Sequence, residues 1–173
     1  AVVDSRAHLS LLDGAKLAQA HVRTFEHNDA ASLEAVLRRG RGSRQLVVVE
    51  GIYSMDGDLA DLPALLEVAE RHHVSVLIDE AHSILTCGAH GRGATEQLGV
   101  DERVVLKYGT FSKAFAGIGG FISGPRETLD YLRAYADPYG FSCALPPAVV
   151  AALRAGLQVA IREDGLRQRL WDN

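Results

Sequence analysis

Two short apolar runs, 46–49 and 74–78, place the strongest limit on the folds open to this chain. Both are rich in β-branched residues and show little alternation with polar ones, which is typical of strands buried on both faces of a sheet. Stretches with the apolar spacing of helices separate and flank them. Strands that alternate with helices in this way predict a three-layer α/β/α fold with a mainly parallel sheet.

The other elements follow from the same patterns and from residues that begin or end helices. Asp29 is a predicted N-cap and Gly40 a predicted helix end, and Pro63 suits the first turn of another helix. The predicted strands are 1–4, 22–25, 46–49, 74–78, 104–106 and 120–123, and the predicted helices are 9–20, 30–39, 63–72, 125–136 and 146–161.

The length of the chain, 173 residues, suits a single domain with a substantial core. Neither end coincides with a clear start or stop of a structural element. We therefore expect residues 1–173 to be one part of a longer protein.

Composition narrows the class of protein. The formal net charge is −4, which argues against a nucleic-acid or anionic-membrane partner, and no apolar run is long enough to span a bilayer. Cys87 and Cys143 form no disulfide framework, and the histidines and cysteines lack the spacing of metal ligands. We predict a cytoplasmic protein without a metal site.

Three residues that can carry chemistry follow predicted strands. Asp79 ends one apolar strand, His82 comes three residues later, and Lys113 lies in a Gly/Ser/Thr-rich turn after the next strand. Individually they could be an exposed carboxylate, a structural histidine and a solvated or phosphate-binding lysine. Because ligands of such sheets bind beyond the carboxyl ends of the strands, we expect the three side chains to converge in one crevice. There the lysine could act as an amine nucleophile towards an aldehyde.

Four stretches, taken together, resemble the α-oxoamine synthase family of fold-type-I pyridoxal-phosphate enzymes, which includes serine palmitoyltransferase and aminooxononanoate synthase. The resemblance implies that the chain is part of the large domain of such a transferase. The stretches occur in the family's order and spacing, and they are 4–10 (Asp-Ser-Arg-Ala-His-Leu-Ser), 50–58 (Glu-Gly-Ile-Tyr-Ser-Met-Asp-Gly-Asp), 79–82 (Asp-Glu-Ala-His, with Gly-Arg-Gly at 91–93) and 109–113 (Gly-Thr-Phe-Ser-Lys, with Phe-Ser-Cys-Ala-Leu-Pro-Pro at 141–147).

The resemblance implies a role for each of the three strand-end residues. Lys113 would hold pyridoxal 5′-phosphate in a Schiff base and later remove the substrate Cα proton, which requires a partly neutral amine. Burial and the nearby cationic cofactor would favour that state by lowering the pKa of the lysine. Asp79 would keep the pyridine nitrogen protonated, so that the ring can act as an electron sink. His82 would hydrogen-bond the phenolic oxygen of the ring.

The resemblance also implies four further cofactor contacts. His8 would stack on the ring, Ser54 would lie close to its phenolic oxygen, and Thr110 would bind the phosphate. Ser142 matches a position that reaches the phosphate of a neighbouring subunit, so a homodimer with a shared active site is implied.

This sequence departs from the family pattern in several places. Ser112 stands where glycine is common before the lysine, and Cys143 stands where threonine, asparagine or alanine is common. The family's upstream phosphate-cupping segment and its C-terminal domain, with the arginine that binds the substrate carboxylate, have no counterpart in these residues.

The implied reaction condenses an amino acid with an acyl thioester, on a coenzyme A or an acyl carrier protein, and releases CO2 to give an α-amino ketone. Asp79 and Lys113 would equally suit another fold-type-I enzyme, an aminotransferase or an aldolase-like lyase. A more distant alternative is an NTPase in which 79–82 is a DEAH box. The absence of a G-x-x-x-x-G-K-[ST] phosphate loop from the sequence argues against it.

Overall fold

The computed structural model describes residues 1–40, 42 and 44–173, and a six-stranded sheet lies at its centre. The order across the sheet is β2-β1-β3-β4-β5-β6. The first five strands run parallel, and β6 pairs antiparallel with β5. The strands are β1 (Val2–Asp4), β2 (Arg23–Phe25), β3 (Leu46–Glu50), β4 (Ser75–Asp79), β5 (Leu106–Thr110) and β6 (Gly120–Ser123).

The helices connect the strands and continue the chain beyond β6. They are α1 (Leu9–Leu17), α2 (Ala30–Arg39), α3 (Leu62–Arg71), α4 (Ala94–Gln97), α5 (Arg126–Tyr135), α6 (Asp137–Gly140), α7 (Pro147–Arg162) and α8 (Gly165–Asp172), with a 3₁₀ turn at Asp101–Arg103. The side chain of Asp29 accepts hydrogen bonds from the first turn of α2, and that of Asp61 does the same for α3. These caps satisfy backbone donors that a helix start leaves unpaired, which is why both helices begin where they do.

Apolar side chains cover both faces of the sheet, so the fold has the three layers expected from the sequence. On one face, Val47 and Val49 of β3 join a large buried cluster to which α2 and α3 contribute Leu37 and Leu66. On the other face, Val48 packs in a smaller cluster that includes side chains of α1. The strand buried on both sides, expected at 46–49, is therefore confirmed.

The helices after β6 are covered much less than those before it. Among the described residues, α5, α7 and α8 bury none of their side chains completely. Large apolar side chains remain exposed here, among them Tyr135, Phe141, Ile161 and Trp171. Within residues 1–40, 42 and 44–173, no helix combines the length and the apolar character that crossing a membrane requires.

The sequence misplaced β5 and missed three helices, α4, α6 and α8. The strand expected at 104–106 lies at Leu106–Thr110 and so includes Gly109 and Thr110, which were expected in a turn. Its middle residues, Lys107 and Tyr108, break the apolar pattern. Their polar groups are tolerated because the strand pairs with β6, an edge strand that is itself only thinly covered. Helices α4 and α6 have four residues each, too few for an apolar period to show.

Candidate active site

Three polar side chains lie in register at the carboxyl ends of neighbouring strands. Glu50 of β3 is paired with Asp79 of β4, which is paired in turn with Tyr108 of β5. Side chains alternate between the two faces of a sheet, so Glu50 and Asp79 point to the same face as Val48, the face that α1 covers. The candidate site is therefore at the strand ends, on the α1 side.

The Asp79 carboxyl is almost fully buried, with 4% of the residue exposed. Its Oδ1 accepts a hydrogen bond of 2.8 Å from the backbone N–H of Ala81. Burial raises the pKa of Asp79, and the nearby positive charges of Lys113 and His8 act against this rise. The Asp79 carboxyl thus lies within electrostatic range of the Lys113 amine.

His82 lies on the same side as Lys113, and the two residues line one cavity of about 610 Å³. Burial, followed by the positive charges of Lys113 and His8, lowers the pKa of His82. An imidazole with a lowered pKa is neutral near pH 7, so one of its nitrogens can accept a hydrogen bond and the other can donate one. His82 and Lys113 thus share one cavity, which Asp79 does not line, and both Asp79 and His82 are within electrostatic range of Lys113 and His8.

Lys113 itself is exposed, so the burial expected for its side chain is wrong for this chain. The residue lies in the turn after β5, and its side chain lines the cavity rather than packing in a core. A lysine in this position remains accessible to a ligand that enters the cavity.

His8 is at the N-terminus of α1, where its side chain caps the helix. Its Nδ1 is 2.7 Å from the hydroxyl of Ser10, and its backbone N–H donates to Oε1 of Glu50 over 2.5 Å. The His8 ring is therefore held by Ser10 of its own helix, and the His8 backbone is held by Glu50 of β3.

Glu50 is a residue to which the sequence reasoning gave no role. It is 1% exposed, and its carboxylate accepts the backbone N–H of His8, with the backbone N–H of Ser54 close by. Burial, and then the neighbouring charge of Asp79, raises the pKa of Glu50 even though these two N–H groups favour the charged form. The signal in the sequence was an acid ending the apolar run of β3, the same pattern as Asp79 at the end of β4.

The three other predicted residues differ in how they connect to this group. Ser54 is half-buried in the turn after β3 and is linked to His8 through Glu50. Thr110 is buried at the end of β5, where its hydroxyl contacts the hydroxyl of Ser112 at 2.9 Å. Ser142 is exposed between α6 and α7, and no described hydrogen bond connects it to the others.

Glu80 has a structural environment that does not suit a DEAH box. Its buried carboxylate accepts the backbone N–H groups of Ala94 at 2.8 Å and Thr95 at 3.0 Å, and the hydroxyl of Ser83 donates to it as well. These bonds fasten the loop between His82 and α4. A carboxylate used in this way is not available to bind Mg²⁺ or to activate water.

The described residues include one His/Asp group close enough to share a cation, made of His27, Asp56 and Asp58. Protein groups already pair with its atoms. His27 Nε2 is 3.0 Å from Asp58 Oδ2, and Arg6 forms an ion pair of 2.6 Å with Asp56.

The strand-end residues fit the cofactor that the resemblance implies. Burial raises the pKa of the Asp79 carboxyl because the negative charge is poorly stabilised away from water. A cationic partner, such as the protonated nitrogen of a pyridine ring, would stabilise that charge. Lys113 offers an accessible amine near this carboxyl, and His82 offers a neutral imidazole on the rim of the same cavity.

Comparison with known proteins agrees with this geometry. The family model "Aminotransferase class I and II" matches residues 1–173. The chain is 40% identical, over 98% of its length, to the 8-amino-7-oxononanoate synthase of Thermosipho melanesiensis, and 38% identical, over 99%, to 8-amino-7-oxononanoate synthase 1 of Bacillus subtilis. It covers 44% of each of these relatives, so it spans less than half of their length.

A solved structure of a serine palmitoyltransferase from S. paucimobilis, with a bound PLP–myriocin aldimine, superposes with a TM-score of 0.92. The two share 36% identity, and the match covers 99% of this chain and 43% of the other. The relatives are pyridoxal-phosphate enzymes of one type. This chain therefore belongs to the class I and II aminotransferase family, and within it to the α-oxoamine synthases.

Proposed function

We propose that this chain is the catalytic core of a pyridoxal-phosphate-dependent acyltransferase that condenses an amino acid with an acyl thioester, with loss of CO2. The observation that carries the proposal is the accessible Lys113 amine within electrostatic range of the buried Asp79 carboxyl, at the carboxyl edge of a parallel sheet. The names of the relatives, 8-amino-7-oxononanoate synthase and serine palmitoyltransferase, support this choice of reaction.

Asp79 and His82 would set the charge of the bound ring. When bound, pyridoxal phosphate supplies an electron-withdrawing ring that stabilises negative charge at the substrate Cα. The Asp79 carboxylate, held by the N–H of Ala81, would keep a proton on the pyridine nitrogen. His82, neutral because its pKa is lowered, would share a hydrogen bond with the phenolic oxygen.

Lys113 would move the proton. Its amine would hold the cofactor before the substrate arrives and would then accept the Cα proton as a general base. The exposed position of Lys113 on the cavity wall leaves space for a substrate beside it.

The remaining residues would orient the cofactor. The His8 imidazole, fixed by Ser10, would offer a flat face to the ring, and Ser54 would lie near the phenolic oxygen. The Thr110 hydroxyl would donate to the phosphate. All of these are positioning contacts, which lower the barrier by fixing the reacting groups in advance.

The reaction is tested by supplying the full-length protein with pyridoxal phosphate, single amino acids and acyl-CoA or acyl carrier protein substrates. We expect free thiol and CO2 to appear in equal amounts, and only when both substrates are present. Transfer of the amino group to a 2-oxo acid without thiol release would indicate an aminotransferase instead. Cleavage of a 3-hydroxy amino acid without thiol release would indicate a lyase.

We also propose a homodimer in which each active site uses both subunits. The exposed apolar side chains of the helices after β6, such as Tyr135 and Phe141, form a surface that a second copy could cover. Ser142 lies next to this surface in sequence, which suits a residue that reaches the partner's phosphate site. A cytoplasmic location is part of the proposal, because both cysteines are free thiols.

The shared site predicts a specific result for mixed subunits. In the full-length protein, Lys113→Ala and Ser142→Trp should each be inactive and each be a dimer by light scattering. After unfolding and refolding together, half of the dimers are hybrids, and each hybrid has one intact site. Activity should return to about a quarter of the wild-type value. A mixture that stays inactive while hybrids form would contradict a site built from two subunits.

A further inference from the structure

His27 lies between two carboxylates outside the group of strand-end residues. Its Nδ1 is 2.9 Å from Oδ1 of Asp4, and its Nε2 is 3.0 Å from Oδ2 of Asp58. The His27 side chain is 18% exposed, and the side chain of Asp4 is fully buried. The Tyr53 ring packs edge-on against the imidazole, with the ring centroids 4.4 Å apart. The imidazole is therefore fixed on both nitrogens and on one face.

The first partner, Asp4, holds the start of the segment that leads to His8. Asp4 is the last residue of β1, and its carboxylate also accepts the backbone N–H groups of Arg6 at 2.8 Å and Asn28 at 2.9 Å. Four residues after Asp4, the chain reaches His8 at the start of α1. The carboxylate thus ties the start of this segment to the turn that carries His27.

The second partner, Asp58, closes the turn that carries Ser54. Its backbone oxygen accepts a hydrogen bond from the backbone N–H of Tyr53. The backbone N–H of Gly57 in turn donates to the backbone oxygen of Tyr53. Asn28, next to His27, donates from its side chain to the oxygen of Leu59. The turn at 53–58 is thereby attached to the same short segment as the end of β1.

We propose that His27 is a positioning residue that joins the segments carrying His8 and Ser54 and so sets the distance between these two cofactor contacts. The inference rests on the proposed function, because it concerns the geometry of that same site. Neither residue touches His27, so its effect is indirect, through Asp4 and Asp58. Glu50 contacts the same two segments from the other side, because its carboxylate accepts the N–H of His8 and lies close to that of Ser54.

The charge of His27 determines how firmly it joins the segments. Only the protonated imidazole can donate to both carboxylates, since the neutral ring has a single N–H. Burial lowers the pKa of His27, but the hydrogen bonds and charges of Asp4 and Asp58 outweigh burial and raise it. The other charged groups close by are Asp56 and its ion-pair partner Arg6. The two-sided contact is therefore complete below the ordinary histidine pKa and is lost as the pH rises through the raised pKa.

Hydrogen–deuterium exchange of the full-length protein without cofactor tests directly whether His27 holds the two segments together. His27→Ala should speed exchange in the two joined segments, 5–8 and 52–58, by about tenfold, because two charge-assisted hydrogen bonds are lost. Strand β4 should exchange at the wild-type rate. His72→Ala is the matched control, because His72 has a similar exposure of 21% and also faces a carboxylate, Glu34, at 3.7 Å. This control should leave 5–8 and 52–58 unchanged.

Cofactor affinity, measured by titration with pyridoxal phosphate across a range of pH, tests the functional consequence. His27→Ala should weaken binding at low pH by about fivefold to tenfold, and the difference from wild type should shrink as His27 loses its proton. Equal affinities at every pH, or a ratio that does not depend on pH, would overturn the inference. So would exchange that rises uniformly, including in β4, since that describes general destabilisation. If the wild-type protein binds no pyridoxal phosphate, the proposed function fails, and the exchange result still decides whether His27 joins the two segments.

Discussion

Replacing Lys113 with alanine in the full-length protein is expected to abolish the visible absorbance that pyridoxal phosphate gains when it is linked covalently to a lysine. Turnover should fall by at least about a thousandfold, because in the proposed mechanism the same amine holds the cofactor and moves the Cα proton. Absorbance spectra and the release of free thiol measure the two effects separately.

The other two lysines provide the control. Lys16 is an exposed residue of α1 that forms an ion pair with Asp13. Lys107 lies on β5 and forms an ion pair with Asp101. Lys16→Ala and Lys107→Ala should keep both the absorbance and the turnover. Reduction with borohydride followed by peptide mass spectrometry should place the cofactor on the peptide that contains Lys113. A label on Lys16 or Lys107, or a Lys113→Ala protein with the wild-type spectrum, would refute the assignment.

Replacing Asp79 with asparagine is expected to lower kcat by about a hundredfold while the protein still binds the cofactor. The neutral amide removes the charge that keeps the pyridine nitrogen protonated, and a loss of two pKa units in that nitrogen corresponds to about a hundredfold. The substitution keeps the shape of the side chain, and its oxygen can still accept the N–H of Ala81. Steady-state kinetics and a cofactor titration separate the loss of turnover from a loss of binding.

Glu80→Gln is the matched control for Asp79→Asn, since it removes the charge of the adjacent buried acid. The hydrogen bonds from Ala94 and Thr95 indicate a structural role, so the thermal midpoint should fall while kcat stays within a few-fold of wild type. The reverse pattern, with Glu80→Gln inactive and Asp79→Asn active, would contradict the assigned roles. ATP hydrolysis that Glu80→Gln abolishes would favour the NTPase alternative.

The sequence predicted those elements whose signal is local. The strand at β3 was recognisable because both of its faces are buried, as the clusters containing Val47 and Val48 show. Helix α2 was predicted with its observed limits because Asp29 and Gly40 mark both ends. Strand β5 was misplaced because its first three residues are only partly buried and its two buried residues are Gly109 and Thr110, so its sequence lacks the apolar run used to recognise the other strands.

The site was predictable to the extent that topology determines it. Residues that follow parallel strands meet at one edge of the sheet, which is why the convergence of Asp79, His82 and Lys113 could be expected. Glu50 and His27 could not be assigned in this way. The partners of Glu50 are backbone N–H groups, which no side-chain pattern reveals, and one of them is 42 residues away in the sequence. His27 joins carboxylates 23 and 31 residues away, so only the folded chain shows that it has two partners.

The buried Glu80 carboxylate also constrains two glycines that lie far apart in the sequence. A Cβ atom at Gly51 or at Gly93 would overlap this carboxylate, and Gly93 adopts a left-handed conformation with φ of 109°. Any larger residue at either glycine would push on the side chain next to Asp79. Changes at these two glycines are therefore expected to displace the Glu80 carboxylate and to loosen the start of α4 that it holds.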